Sequence, residues 1–265
     1  MPSTSTTSDI HTGDFQASGL DRSPEKKVEE LNKMQPSANA SATSASATSD
    51  VHVVSSPAIR RLMSFVRDAA TEQAPFVRYS NRVMRILVEE ALSYLPHKDT
   101  PITTACGVYS GKKLVEGQRE GDLCGVSIMR SGNCMLEAVR EVIPDLSVGH
   151  ILVQRDETDP EKKPIFYYKK FPEEVERRTV LLCDPMLATG GSAIAALKCL
   201  VEDAKVKEEK ILFAVLIAAP EGVKAVKAAY PKVTLVTAEL DEGLNAAKYI
   251  VPGLGDFGDR YYDTA

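Results

Sequence analysis

The fold is decided by one segment, which reads Val180-Leu181-Leu182-Cys183-Asp184-Pro185-Met186-Leu187-Ala188-Thr189-Gly190-Gly191-Ser192. Its four leading residues are apolar and predict a buried strand that ends at the carboxylate of Asp184. A glycine-containing loop follows, and the next apolar pattern predicts a helix over Gly191–Val201. A strand, a loop and a helix in this order are typical of one crossover in a parallel sheet.

The same alternation continues on both sides of this segment. Short apolar runs and helical patterns predict strands at Leu123–Met129, Gly149–Val153, Ile211–Ile217 and Val233–Thr237, and helices at Cys134–Val142 and Gly222–Ala229. Right-handed βαβ crossovers follow from this order, so the fold class is α/β with a mostly parallel, Rossmann-like sheet flanked by helices. Because such sheets bind ligands at the carboxyl ends of their strands, we expect the chemistry where strands give way to loops.

The sequence changes in character near residue 55. Ser, Ala and Thr dominate Gln35–Asp50, and neither this stretch nor the polar one before it has a periodic apolar face. Such a composition cannot offset the entropy lost on ordering. We therefore predict a disordered tail over 1–55 and a single folded domain over 56–265. The domain is expected to open with helices from Pro57 and over Val77–Leu95, followed by short strands at Ile102–Val108 and Lys112–Val115 around Ser110-Gly111.

Composition and charge exclude several classes of protein. The 265 residues are 43% hydrophobic with a net charge of −5, which argues against global disorder and against a protein whose main work is holding duplex nucleic acid. No apolar run approaches the roughly 18 residues of a membrane span. The cysteines lack C-x-x-C spacing, which indicates buried thiols in a reducing, cytoplasmic compartment rather than disulfides or a zinc site; they are Cys106, Cys124, Cys134, Cys183 and Cys199.

The loop over 184–192 has the composition of a phosphate-binding site. Gly190 and Gly191 let backbone N–H groups converge on an anion, and the helix that follows adds about half a positive charge at its N-terminus. Thr189 and Ser192 can donate hydroxyls to the same anion, and Asp184 lies where a sugar hydroxyl would need an acceptor. A glycine turn with a Ser/Thr helix cap is the plainer interpretation of Thr-Gly-Gly-Ser alone. A Walker loop is excluded because no Gly-Lys-Ser/Thr follows.

Two other strand ends carry cations. The strand before Arg130-Ser131-Gly132 and the strand before Arg155 each end at an arginine. A cation beside exposed backbone N–H groups suits a pyrophosphate, although a single arginine at a strand end is more often a solvated charge. The charged residues 156–163 and the aromatic Phe166-Tyr167-Tyr168 follow Arg155, and they are typical either of a solvated hairpin or of a flap over a site.

The C-terminal segment Tyr249–Arg260 contains two chance matches to known motifs, a dinucleotide-binding one and a kinase one. Gly253, Gly255 and Gly258 satisfy G-x-G-x-x-G, but too few residues follow for a βαβ unit, and Asp256-Phe257-Gly258 lacks the other kinase motifs. The segment does offer a rigid Pro-Gly turn rich in backbone groups. Such groups suit a small, flat, uncharged base with alternating carbonyl and N–H groups.

Taken together, these motifs resemble those of the type I phosphoribosyltransferases. The Asp184-Pro185 pair resembles the uracil phosphoribosyltransferase version, and the resemblance covers Phe76 to Tyr262. It implies the type I phosphoribosyltransferase fold, with a flap hairpin after Arg155 and a C-terminal base-binding hood. It also implies an enzyme of pyrimidine salvage, which transfers the phosphoribosyl group of 5-phosphoribosyl 1-pyrophosphate (PRPP) to uracil and releases UMP and pyrophosphate.

The resemblance assigns a role to each matched residue. The implied PRPP-binding residues are Arg130, Arg155, Asp184, Pro185, Met186, Leu187, Ala188, Thr189, Gly190, Gly191, Ser192 and Asp256. The implied uracil-binding residues are Tyr249, Ile250, Gly255, Asp256 and Phe257. Arg130 and Arg155 would act catalytically on the leaving pyrophosphate. Asp256 would help to remove the uracil proton or organise water and Mg²⁺, which would be bound through PRPP rather than by protein ligands.

The resemblance also bears on partners and alternatives. It implies a homodimer or homotetramer, with the helix at Phe76–Leu95 as a candidate interface, and a GTP activator in some members. Ser131 departs from the usual alanine. Two other functions stay open: a pyrimidine-sensing, RNA-binding regulator on the same fold, disfavoured by the net charge of −5, and a catalytically inactive homologue, disfavoured by the presence of both arginines. Orotate or hypoxanthine stays open as an acceptor, although an orotate site would need an added cation.

Overall fold

The computed structural model describes residues 51–54, 56–115, 122–155 and 164–264, which all belong to one compact unit. Residues 1–50 and 55 of the tail predicted over 1–55 lie outside the described residues, as do residues 156–163 of the flap expected between Arg155 and Lys170. The sheet includes residues that precede position 56. Val51 is buried, and His52–Val53 form a strand that pairs in parallel with the main sheet through backbone hydrogen bonds, which no side-chain pattern reveals.

Eight strands of the described residues form the main sheet. In spatial order they are β1 (His52–Val53), β10 (Thr234–Leu240), β9 (Ile211–Ala218), β7 (Thr179–Cys183), β4 (Leu123–Met129), β5 (Ser147–Arg155) and β6 (Pro164–Lys170), with β8 (Met186–Leu187) paired to β9. The pairings are parallel except that of β5 with β6. The unbroken apolar runs of β4, β7 and β9 reflect a parallel sheet that is buried on both faces.

Helices cover both faces of this sheet. On one face α1 (Pro57–Arg67), α2 (Gln73–Leu92) and α3 (Gly132–Val142) pack against alternate residues of β9 such as Leu212 and Leu216. On the other face α4 (Gly191–Lys198) and α5 (Pro220–Ala229) pack against the intervening residues, among them Phe213 and Val215. The structure thereby confirms the α/β class with a mostly parallel sheet flanked by helices.

Two hairpins and a short helix lie outside the main sheet. The hairpins pair β2 (His97–Thr104) with β3 (Gly107–Leu114) and β11 (Gly243–Leu244) with β12 (Ile250–Val251), and α6 (Phe257–Tyr262) follows. The expected turn at Ser110-Gly111 is wrong, because Gly111 pairs with Thr100 inside β3. A Cβ at Gly111 would meet Ile102 at 2.8 Å, so this glycine serves a close contact within the hairpin rather than a turn.

In the described ranges, none of the helices is long and apolar enough to cross a membrane.

Candidate functional site

The carboxyl ends of β4, β5 and β7 open into one cavity of about 640 Å³. These strands are neighbours and parallel, so the loops after them meet at one edge of the sheet. Residues 247–258 of the C-terminal segment form the facing wall. The lining includes residues that the sequence predicts from separate motifs, namely Asp184, Met186, Ala188, Ser192, Tyr249, Ile250, Gly255 and Asp256.

The loop between β7 and α4 is pinned to the sheet at its start. The carbonyl of Pro185 accepts from the N–H groups of Leu216 and Ile217 at 3.1 and 3.0 Å, and the short strand β8 continues this attachment. Gly190, with φ of 86°, directly precedes α4, and no side chain caps that helix. The structure therefore disagrees with a Ser/Thr cap and leaves the N-terminus of α4 suited to an anion.

The loop after β4 lies directly against the end of β7. A Cβ at Gly132 would lie 2.4 Å from the carbonyl oxygen of Cys183, so glycine permits this close approach. Beneath the loop, the buried Ser127 hydroxyl is 2.7 Å from Oδ1 of Asn133 and 2.8 Å from Nδ1 of His150. Sequence reasoning missed this polar network. A serine inside the otherwise apolar strand β4 was the available signal.

Arg130 lies at the rim of the cavity and points toward the C-terminal segment. Its guanidinium donates to Asp259 Oδ1 at 2.7 Å and to Thr264 Oγ1 at 2.9 Å, and it lies 5.6 Å from the ring centre of Tyr262. The hydrogen bond from Arg130, followed by that from Thr264, lowers the pKa of the Asp259 carboxyl. The predicted pyrophosphate-binding arginine is thus tethered to the segment that forms the hood.

Several predicted residues do not belong to the described lining of the cavity. Besides Arg130, they are Pro185, Leu187, Thr189, Gly190, Gly191 and Phe257. The Phe257 ring is fully buried, with its centre 5.3 Å from that of Phe76, so only its backbone can contact a base. Arg155 ends β5, and its side chain lies outside the described part of the chain.

Asp256 has a structural contact as well as a place in the lining. Its Oδ1 accepts from the Asp259 N–H at 3.0 Å and caps α6. Asp184 lines the same cavity from the end of β7. The described residues contain no group of three His, Cys, Asp or Glu side chains placed to hold a metal ion. Two carboxylates in one cavity can still orient the water shell of a cation that arrives with a ligand.

The turn before β12 adds lining residues that the sequence interpretation did not include. Asn245 Oδ1 accepts from the N–H groups of Ala247 and Tyr249 at 3.0 and 2.9 Å, and this places Ala247 and Lys248 in the cavity wall. Lys248 adopts a left-handed conformation with φ of 65°. Lys248 thereby adds a basic residue to the lining of this wall, where the sequence predicted neutral and acidic residues.

The cavity therefore joins the loop before α4 to residues of the C-terminal segment. The sequence model of the family described as Uracil phosphoribosyltransferase matches the chain over residues 53–264. The chain belongs to the uracil phosphoribosyltransferase family. The family expected from the motifs is thus confirmed, and the match begins earlier than the resemblance did.

Individual relatives agree with this assignment. The chain is 45% identical over 207 residues to Uracil phosphoribosyltransferase 1 of Schizosaccharomyces pombe, covering 78% of this chain and 91% of that protein. It is 44% identical to Uracil phosphoribosyltransferase of Dictyostelium discoideum, covering 78% and 92%. Among solved structures, the AQ2163 protein from Aquifex aeolicus superposes with a TM-score of 0.68 at 30% identity, covering 81% of this chain and 99% of that one.

Proposed function

We propose that this uracil phosphoribosyltransferase transfers the phosphoribosyl group of PRPP to a ring nitrogen of uracil, giving UMP and pyrophosphate. The observation that carries the proposal is a single cavity with a phosphate-type loop on one wall and the C-terminal hood on the other. The family match over residues 53–264 supports the choice of uracil.

The donor is assigned to the sheet side of the cavity. Backbone N–H groups at the N-terminus of α4, together with the hydroxyls of Thr189 and Ser192, would hold the 5-phosphate. Asp184 would accept from a ribose hydroxyl. Arg130 uses two of its five N–H donors on Asp259 and Thr264, and the others remain for the pyrophosphate. Arg155 is assigned to the same pyrophosphate from the end of β5.

The base is assigned to the hood. Ile250 and Gly255 line the cavity on either side of the Pro-Gly turn, and backbone groups there can pair with the carbonyl and N–H groups of uracil. Tyr249 lies beside them, and Phe257 contributes through its backbone. Because a basic residue, Lys248, is among the lining residues of this wall, orotate has to be included among the bases that are tested.

Catalysis would rest mainly on placement and charge. Holding the base against the anomeric carbon can lower the barrier by about 7–11 kcal/mol. Arg130 and Arg155 would stabilise the negative charge that develops on the leaving pyrophosphate. Asp256 would accept the uracil proton or orient water. In this assignment the flap between Arg155 and Lys170 would keep water from the reacting carbon.

Mg²⁺ is proposed to enter with PRPP. Asp184 and Asp256, which line the same cavity, fit a role in holding its water ligands. When bound, the cation would neutralise part of the pyrophosphate charge.

A homodimer or homotetramer is also proposed, although its interface is reassigned. The apolar face of α2 is occupied by the chain's own core, where Phe76 and Leu87 are fully buried. The β2–β3 hairpin is the better candidate, since Val108 is 76% and Tyr109 64% exposed. Light scattering coupled to size exclusion would test the assembly, and the rate of UMP formation with and without GTP would test a GTP activator.

A cytoplasmic location is proposed from the thiols. Cys124, Cys134, Cys183 and Cys199 are free and buried, which suits a reducing compartment.

The experiment that tests the function is a panel of bases. The purified chain is incubated with Mg²⁺, PRPP and uracil, orotate or hypoxanthine, and nucleotide formation is followed by chromatography. UMP from uracil alone supports the proposal. Turnover of orotate or hypoxanthine instead of uracil would contradict it. The regulator alternative predicts RNA binding with a strong salt dependence and no turnover of any base.

A further inference from the structure

The Pro-Gly turn of the hood is gripped from outside the cavity by the end of α1. Arg67 Nη1 donates to the Gly253 carbonyl at 2.9 Å, while Asp241 Oδ2 accepts from the Gly253 N–H at 2.7 Å. Arg67 also binds Asp241 through both terminal nitrogens, at 3.0 and 2.5 Å, and Glu239 at 2.5 Å. We name this set, Arg67, Glu239, Asp241 and Gly253, the Arg67 clamp.

The clamp is built as a buried, forked ion pair. The Asp241 side chain is only 3% exposed, and both of its oxygens accept from Arg67, so Arg67 takes the place of water around it. Burial lowers the pKa of Arg67, but the hydrogen bonds to Asp241 and Glu239 outweigh this and raise it overall. A planar guanidinium can bind two carboxylates and a carbonyl at fixed angles, which an ammonium cannot.

The gripped residue sits between two parts of the cavity wall. Gly253 has φ of 65°, and a Cβ on it would lie 2.1 Å from the Ile250 carbonyl oxygen, so the turn is tight. Ile250 lines the cavity before this turn, and Gly255 and Asp256 line it afterwards. A displacement of Gly253 would therefore move the backbone at both Ile250 and Gly255, which are assigned to uracil.

A second arginine fixes the following residue to the same helix. Arg260 Nη1 donates to the carbonyls of Leu254 and Val66, each at 2.7 Å, and Nη2 donates to the Asp68 carbonyl at 2.7 Å. Its guanidinium lies 4.2 Å from the ring centre of Phe76. Arg67 and Arg260 thus attach the backbone of Gly253 and Leu254 to the end of α1.

We propose that Arg67 is a positioning residue for the base: through Gly253 it fixes the backbone at Ile250 and Gly255, and thereby sets the affinity for uracil without contacting either substrate. This proposal rests on the assignment of the hood to uracil. The donor loop at 184–192 is attached to β9, whose Ala218 carbonyl also accepts from the Asp241 N–H at 2.8 Å. The described hydrogen bonds of the Arg67 guanidinium go to Glu239, Asp241 and Gly253 and not to that loop, so a change at Arg67 should act on the hood before it acts on the loop.

The test is Arg67→Lys, with Arg85→Lys as the matched control. Arg85 pairs with Glu141 on the exposed surface, where both side chains are 52% exposed. Because lysine keeps the charge but loses the fork, we expect the KM for uracil to rise about tenfold in Arg67→Lys, while the KM for PRPP stays within about twofold. Arg85→Lys should leave both constants unchanged.

A second pair of variants isolates the contact to Gly253. Asp241→Asn keeps an oxygen that can accept from the Gly253 N–H, whereas Asp241→Ala removes it. The KM for uracil is expected to rise less in Asp241→Asn than in Asp241→Ala, and PRPP binding by titration calorimetry should be retained in both. A general loss of packing would lower binding of both substrates and would not show this order.

The outcomes separate this proposal from the proposed function. A wild-type chain that does not convert uracil overturns the function, and the base-positioning role with it. A wild-type chain that converts uracil, with equal changes in both KM values or none for Arg67→Lys, overturns the clamp alone. If Arg67→Lys does not bind PRPP because it is unfolded, the KM values of Glu239→Gln provide the test instead. That variant retains both contacts to Gly253, and a rise confined to the KM for uracil supports the proposal, whereas its absence overturns it.

Discussion

Gly222 of α5 offers a direct way to move the donor loop from outside the cavity. A Cβ at Gly222 would lie 2.4 Å from the Ala188 carbonyl oxygen and 3.0 Å from that of Leu187, whereas ordinary contacts begin at 3.4 Å. Relief of the closer contact requires a shift of about 1 Å in the loop or the helix. Since a misplacement of that size can cost about 100-fold, we expect Gly222→Ala to lower kcat/KM for PRPP by about 10- to 100-fold.

The same variant should remain folded, with a modest loss in its free energy of unfolding. Overpacking costs about 1–3 kcal/mol, and replacing glycine by alanine in a helix returns up to about 1 kcal/mol. The free energy of unfolding should therefore fall by about 0–3 kcal/mol, which urea denaturation can measure. A loss of activity with most of the stability retained would separate loop displacement from unfolding.

The assay follows pyrophosphate release while PRPP is varied at saturating uracil. Lys224→Ala is the matched control, because Lys224 is exposed on the same helix, and it should leave the constants unchanged. Wild-type PRPP kinetics in Gly222→Ala would refute the claim that α5 positions the loop. A change confined to uracil would refute the assignment of the loop to the donor.

Three further predictions concern the rim, the hood and the thiols. Arg130→Gln should lower kcat/KM for PRPP by about 100-fold, whereas Arg140→Gln on the exposed face of α3 should not. Because the hydrogen bond from Arg130 lowers the pKa of Asp259, their ion pair should persist through neutral pH and be lost only in acid, as the pH falls through that lowered pKa. An NMR titration of the carboxyl can follow this loss. Asp256→Asn keeps the cap acceptor of α6, so its melting temperature should match the wild type while kcat falls by about 100-fold or more; unchanged kcat with intact PRPP binding would remove Asp256 from the chemistry. At pH 8 a thiol reagent should modify Cys106 alone, since it is exposed and burial raises the pKa of the other four thiols, and mass spectrometry showing a second modified native cysteine would contradict this packing.

Much of the sheet could be predicted because parallel strands buried on both faces leave continuous apolar runs. Two such runs are Leu123–Met129 and Ile211–Ala218. The rule that parallel sheets bind ligands at the carboxyl ends of their strands placed Asp184 at the edge of the sheet where the cavity lies. The edge strand at His52–Val53 was missed because its exposed side chains carry no pattern, and its pairing with β10 is a backbone contact between distant parts of the chain.

The direction of side chains was the other feature that the sequence could not predict. The sequence put Arg130 at a strand end, but its hydrogen bonds to Asp259 and Thr264 depend on how the C-terminal segment returns to the sheet. The same return buries the Phe257 ring against Phe76, which leaves the backbone of Phe257 for the predicted base contact. Local motifs specify which residues gather, whereas long-range packing specifies which atoms face the cavity.

The central claim is that one cavity holds phosphate at the N-terminus of α4 and the base at the hood. A crystal structure of the chain with UMP tests it most directly. We expect the phosphate to lie against residues 188–192 and the uracil ring to lie against the backbone of Ile250 and Gly255. UMP bound elsewhere, or bound with its base against the 188–192 loop, would contradict it.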